Sequence, residues 1–180
     1  FAYADADLAG DTETRKSRSG KLIMIGSKSK ATVVSCRSAL QKLIALSTTA
    51  SEIISLMDTV TDVTSLRVLL SELGYPQTKP TITYEDNQPA IALVRDQTRM
   101  EGATKHTDMR HLKLRELMED GQFDLTYCRT NVMMADIFTK CLPAPIFKPM
   151  ADFVTGRRGD YTAENMIKGG RALIIMLADK

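Results

Sequence analysis

Polar and apolar residues alternate from Phe1 to Asp7, placing Phe1, Tyr3, Asp5 and Asp7 on one face of a strand that turns at Gly10. Lys21 to Ile25 and Ala31 to Cys36 read as two further strands, spaced closely enough for an antiparallel meander. Ser47, Thr48 and Thr49 then open a long helix in which Ile53, Leu56, Met57, Val60, Val63, Leu66, Leu70 and Leu73 recur at helical spacing until Gly74 and Pro76 end it. A β-branched run, Thr81 to Tyr84, predicts a fourth strand, followed by a short helix from Pro89 to Val94 and a polar loop from Arg95 to Ala103. Thr107 to Asp120 predicts a second long helix with Met109, Leu112, Leu117 and Met118 on its apolar side. Gln122 to Cys128 alternates as a fifth strand. Thr130 or Asn131 can cap a final short helix, Met133 to Thr139, stopped by Pro143. The order is therefore βββαβααβα, which predicts an α/β domain.

Size and composition narrow the class. The chain has 180 residues, 43% hydrophobic and 26% charged, enough to bury one core. No apolar run reaches the roughly 18–20 residues of a membrane span, so no membrane partner is expected. Cys36, Cys128 and Cys141 lie far apart without a CxxC pair, which points away from zinc or disulfides and toward a reducing compartment. Net charge is only +2, yet Arg15, Lys16, Arg18, Lys21, Lys28, Lys30, Arg37 and Lys42 fall between Thr14 and Lys42 without one acid. Asp5, Asp7 and Asp11 precede this stretch. An acidic spot beside a cationic one suits a polyanion that is held and attacked, although solvated hairpin faces produce the same pattern.

Four acids recur at comparable places: Asp5 at the end of the first strand, Glu52 in the first turn of the long helix, Asp86 at the end of the fourth strand and Asp136 in the last short helix. If the first and fourth strands are neighbours, these ends converge at one sheet edge. Such a cluster needs counter-charge, and Mg²⁺ supplies it through hard oxygen ligands. Each acid also has a structural reading. Thr49-x-x-Glu52 is a capping box, Asp86 suits a helix N-cap, Asp136 lies in a helix's positive half, and Asp5 and Asp7 could be turn acids.

The local sequence around these acids is specific. Tyr3 to Asp11 (YADADLAGD) and Arg15 to Gly20 (RKSRSG) resemble the YSDADWAGD and RKSTSG signatures of the ribonuclease H domain of copia-type (Ty1/copia) retrotransposon polyproteins. Ala45 to Glu52 is similar to ALSSTEAE, Glu85 to Ile91 to CDNQSAI, Thr104 to Arg110 to TKHIDIR, and Ala135 to Pro143 to ADIFTKPLP. The blocks are collinear over residues 1 to 150. The resemblance implies a ribonuclease H-like fold, with a mixed sheet of three antiparallel strands then two parallel ones and helices on both faces. It implies that Asp5, Glu52, Asp86 and Asp136 are catalytic and bind two Mg²⁺ ions, with Mn²⁺ a substitute. Asp5 would bridge both ions, Glu52 and Asp86 would serve one, and Asp136 would help hold the ion that activates water. Asp7, on the same strand face, is the rival to Asp5.

The expected reaction is hydrolysis of the RNA strand of RNA–DNA hybrids during reverse transcription, with reverse transcriptase and integrase portions of the same polyprotein as partners. The expected location is the cytoplasm, within virus-like particles, or the nucleus. Lys21, Lys28, Lys30, Arg37, Asn87 and Gln88 are the expected substrate contacts. The alternative is an inactive or co-opted copy that binds nucleic acid without cleaving it. Leu8 stands where the family has tryptophan, Ala50 where it has Glu, and Cys141 where it has proline; none removes an expected ligand. His106 and His111 are wrongly spaced for paired metal ligands, and Arg129 to Met134 contains no histidine to serve as a general acid. Residues 1–143 form the expected domain. Residues 144–180 are an extension of unassigned role, and Phe1 opens directly in a strand without a start Met, so the chain reads as excised from a longer polyprotein.

Overall fold

The computed structural model describes residues 1–27, 30–96 and 105–157. Lys28, most of the polar 95–103 loop and the 158–180 tail lie outside the described residues. The strands are β1 (Ala2–Asp7), β2 (Arg18–Ser27), β3 (Lys30–Leu40), β4 (Thr81–Glu85) and β5 (Phe123–Tyr127). The helices are α1 (Thr48–Glu72), α2 (Gln88–Arg95), α3 (Lys105–Glu119) and α4 (Ala144–Val154), with 3₁₀ turns at Thr130–Val132 and Met134–Phe138. One sheet runs in the order β3-β2-β1-β4-β5. Pairings β1–β2 and β2–β3 are antiparallel, whereas β1–β4 and β4–β5 are parallel.

β1 is thus the second-to-fourth junction of the fold: the meander lies on one side of it and the parallel pair on the other. Its alternation feeds two cores. Ala2 and Ala4 face α1, where Ile53, Leu56, Val60 and Val63 pack with Ile23, Leu114, Phe123 and Leu125. Burying each large apolar side chain there contributes roughly 1.5–3 kcal/mol. Tyr3 faces the other way, stacking on Tyr84 with ring centroids 4.8 Å apart and joining Leu22, Met24, Met133, Met134 and Met150. Met150 belongs to α4, so the core extends past residue 143.

Both caps expected of the acids are instead made by neighbours. Ser47 is the N-cap of α1, its hydroxyl accepting from the Ala50 N–H at 3.1 Å, so Glu52 is not half of a capping box. Asn87 caps α2, accepting from the Ala90 N–H at 2.9 Å, which leaves the Asp86 carboxylate uncommitted to the helix. α1 ends as expected at Gly74, where φ is +87° and the Tyr75 N–H returns to the Leu70 carbonyl at 2.8 Å.

Three further expectations change. β2 and β3 outrun the apolar stretches that announced them, because ladder hydrogen bonds continue through edge residues whose side chains face water. In α3, Met109 is exposed, Leu117 and Met118 pack half-buried against the core as expected, and the buried side chains among the described residues are His111, Leu114 and Arg115. The last short helix is a 3₁₀ turn, closed by the Asp136 and Thr139 N–H groups on carbonyls three residues back. Gly20 lets this turn lie directly on β2: a Cβ there would meet the Ala135 carbonyl oxygen at 2.8 Å and Phe138 Cβ at 2.9 Å.

Candidate metal centre

The parallel β1–β4 pairing brings Asp5, near the end of β1, beside Asp86, just past the end of β4. The first turns of α1 then lower Glu52 onto the same edge. One carboxylate oxygen from each of Asp5, Glu52 and Asp86 lies within 4.8 Å of the others, close enough for one ion to bridge them. Asp5 and Glu52 are buried, whereas Asp86 is half-buried and open to the edge.

Neighbouring donors orient these groups. The Thr139 hydroxyl donates to Asp5 Oδ2, and Lys140 Nζ donates to Asp5 Oδ1 at 3.2 Å and Asp136 Oδ1 at 2.9 Å. The Ser55 hydroxyl donates to the Asp5 carbonyl at 2.8 Å, tying α1 to β1 beneath the cluster. The Thr130 hydroxyl donates to Asp86 Oδ2 at 2.6 Å. Asp136 is thus joined to the cluster through Lys140 and the 3₁₀ turn, at the side opposite α1. Asp7 lies elsewhere: its carboxylate overhangs Gly10, where a Cβ would meet Asp7 Oδ2 at 2.2 Å.

A further acid, Glu85, sits beneath the edge. Residue 85 is where the resembling family has cysteine, so motif matching passes over it; the signal available in the sequence was an acid on the buried face of a strand. Glu85 is fully buried, and one of its oxygens accepts from the Asn87 N–H at 3.0 Å. Its Oε2 and Glu52 Oε2 are buried without a hydrogen-bond partner. Burial, and after it the charges of Glu85, Asp5 and Asp86, push the Glu52 carboxyl far above its ordinary range, with Lys140 opposing. Burial also raises Glu85, against the Asn87 N–H that favours its charged form. Asp136 is raised by burial, opposed by its hydrogen bond from Lys140. Orphaned buried oxygens and mutually repelling carboxylates are the donor set that a hard divalent cation satisfies. The residues therefore fit a hard divalent cation.

The expected substrate contacts divide. Lys21 is buried and faces α1, on the same side of β2 as Ile23; its ammonium is 2.5 Å from Asp62 and 3.5 Å from the Asp58 carbonyl. That pairing commits its ammonium to α1, away from the exposed position expected of a phosphate contact. Arg37, opposite Lys21 in the ladder, is exposed, and with Ser19 and Ser55 it lines a shallow pocket. Gln88 is exposed at the start of α2, and Asn87 is half-buried with its side-chain oxygen engaged in capping. Lys30 opens β3, in register with Ser27.

No protein-family model matches the chain. It is 36% identical over 152 residues, 84% of its length, to the retrovirus-related Pol polyprotein from transposon TNT 1-94 of Nicotiana tabacum. It is 29% identical over 150 residues to the Pol polyprotein from transposon RE1 of Arabidopsis thaliana. The chain belongs to the copia-type retrotransposon Pol family. It spans 11% and 10% of the lengths of these two relatives. Among solved structures it is similar to RNase H1 from the halophilic archaeon Halobacterium salinarum, with a TM-score of 0.51 at 15% identity over 77% of this chain and 92% of that one. The N-terminal RNase H domain of a Mycobacterium tuberculosis protein also gives a TM-score of 0.51, at 12% identity over 84% and 96% of the two chains. The fold of this Pol segment is therefore that of ribonuclease H, with the five-stranded mixed sheet expected of it.

Proposed function

We propose that this Pol chain is a ribonuclease H that hydrolyses the RNA strand of RNA–DNA hybrids during reverse transcription, leaving 5′-phosphate and 3′-hydroxyl ends. The observation that carries the reading is the convergence of Asp5, Glu52 and Asp86 within 4.8 Å at one sheet edge of a ribonuclease H fold. Asp5, Glu52 and Asp86 would hold the divalent cations, with Asp136 completing the site from the 3₁₀ turn. Bound Mg²⁺ or Mn²⁺ would supply an activated water and charge neutralisation at the leaving oxygen.

The protein's own part is to orient and to bind. Thr139 and Thr130 fix the Asp5 and Asp86 carboxylates through their hydroxyls. Exposed Gln88 beside Asp86, and Arg37 with Lys28 and Lys30 on the β2–β3 side, would contact the duplex backbone; contacts to 2′-hydroxyls distinguish RNA from DNA. Without a histidine between Arg129 and Met134, the leaving 3′-oxygen would be handled by metal or water. Relatives named as Pol polyproteins support other portions of the same polyprotein as partners, which this reading takes to be reverse transcriptase and integrase.

The test is incubation of the purified chain with a labelled RNA–DNA hybrid in Mg²⁺ and in EDTA, with single-stranded RNA and duplex DNA as controls. Metal-dependent cutting of the hybrid's RNA strand alone is the expected result. Hybrid binding without cutting would make the chain a binding module.

A further inference from the structure

Lys140 lies two residues past the 3₁₀ turn that carries Asp136, and its ammonium stands between Asp5 Oδ1 at 3.2 Å and Asp136 Oδ1 at 2.9 Å. Among the described ion pairs, those of Lys140 alone reach the acids of this edge. The Asp5 side chain is 1% exposed, so its charge is cut off from solvent and depends on Lys140 and the Thr139 hydroxyl. Lys140 itself is 34% exposed. Its flexible four-carbon stem can therefore carry the ammonium into water without unpacking the core.

An ammonium on Asp5 and a divalent cation held by Asp5, Glu52 and Asp86 would oppose each other. Both draw on the same carboxylate, and like charges a few ångströms apart in a largely buried site repel strongly. We propose that Lys140 is the counter-ion of the metal-free site, released from Asp5 when a divalent cation binds, and that it thereby sets metal affinity. This rests on the metal-binding reading above. The Thr139 hydroxyl is on the other Asp5 oxygen and stays in place, so the exchange replaces one cation by another without rebuilding the site. Metal binding must first break the Lys140 contacts, which lowers apparent affinity by the fraction of molecules in which the ammonium is already free.

The experiment uses the full chain without nucleic acid. Mn²⁺ affinity is measured by calorimetry for the parent and for Lys140→Met, which keeps the stem and removes the charge. Lys140 acetylation is followed by mass spectrometry in the parent, in EDTA and in saturating Mn²⁺. Lys140→Met should bind Mn²⁺ about tenfold more tightly, the equivalent of one lost competing ion pair, while its metal-free form melts at lower temperature. Acetylation of Lys140 in the parent should rise several-fold on adding Mn²⁺. Parent binding of Mn²⁺ with unchanged acetylation, or a folded Lys140→Met of equal or weaker affinity, overturns the counter-ion role and leaves the metal site standing. Absence of Mn²⁺ binding by both proteins overturns both. Should Lys140→Met not fold, the acetylation contrast decides alone, since it needs only the parent protein.

Discussion

The carboxylate edge and the basic β2–β3 hairpin occupy neighbouring parts of one sheet but are built on opposite terms. At the edge, charge is buried and its geometry is imposed by strand ends, by the first turns of α1 and by the 3₁₀ turn pressed onto Gly20. Along the hairpin the described basic side chains range from buried Lys21 to exposed Arg37, and the role of each depends on which face of the strand it takes. Lys21 shows the difference: it belongs to the cationic stretch by sequence but serves α1 through Asp62. A buried acid with no partner is costly, so its presence demands a reason; a surface lysine costs little and demands none.

The strongest way to break this comparison is Asp86→Asn. Asn87 caps α2 and Asp86 does not, so the substitution should leave melting temperature nearly unchanged, with the Thr130 hydroxyl still able to donate to the new amide oxygen. Hybrid cleavage should fall by about two to three orders of magnitude, as when a preorganised electrostatic group is lost. Cleavage at the parent rate would remove Asp86 from the chemistry.

Next is Lys21→Met, which tests whether that charge belongs to the core. It should destabilise the protein by about 2 kcal/mol, below the roughly 3–5 kcal/mol of a fully buried pair because the Asp62 side chain is 43% exposed. Hybrid affinity should not change, as measured by fluorescence anisotropy on a folded sample. A loss of affinity larger than the loss of stability would return Lys21 to the interface.

The buried acids predict a pH dependence in EDTA. Glu85 is pushed up from an ordinary 4.5 to about 8. Between those values the native state holds more protons than the unfolded chain, so stability falls as pH rises through this window. Glu52, raised in the same direction, extends the loss to higher pH. Melting temperature should therefore decline from pH 5 to 8 without metal, and Glu85→Gln should flatten the decline. A melting temperature that rises over this range would show that the acids are compensated by something other than protons.

The smallest effect is expected from Lys28→Gln with Lys30→Gln. Each phosphate contact contributes a slope of about 0.9 in log affinity against log salt, so the pair should weaken hybrid binding and make it less salt-dependent, raising KM more than it lowers kcat. Unchanged affinity and slope at unchanged stability would make these lysines a solvated turn.

Alternation in Phe1–Asp7 and the helical repeat from Ile53 to Val63 were enough to announce β1 and α1, because a strand or helix between two environments writes its period into the chain. Strand-end acids and signature blocks likewise grouped Asp5, Glu52, Asp86 and Asp136 before any coordinates; the first three lie within 4.8 Å of one another, and Asp136 is tied to Asp5 through Lys140. Other decisions needed the tertiary structure. The sheet is covered on both faces, so β2 has no simple polar side and nothing local shows that Lys21 turns toward α1. Ser47 and Asn87 displaced Thr49 and Asp86 as caps because the helices begin where packing on the sheet places their first turns, and several adjacent residues could cap equally well. Glu85 became part of the cluster's electrostatics, and Lys140 its counter-ion, only once β4 lay beside β1 and the 3₁₀ turn crossed β2. Local sequence sets which residues can cap, bury or bind; the burial and charge that each one meets come from segments up to 135 residues away, as between Asp5 and Lys140.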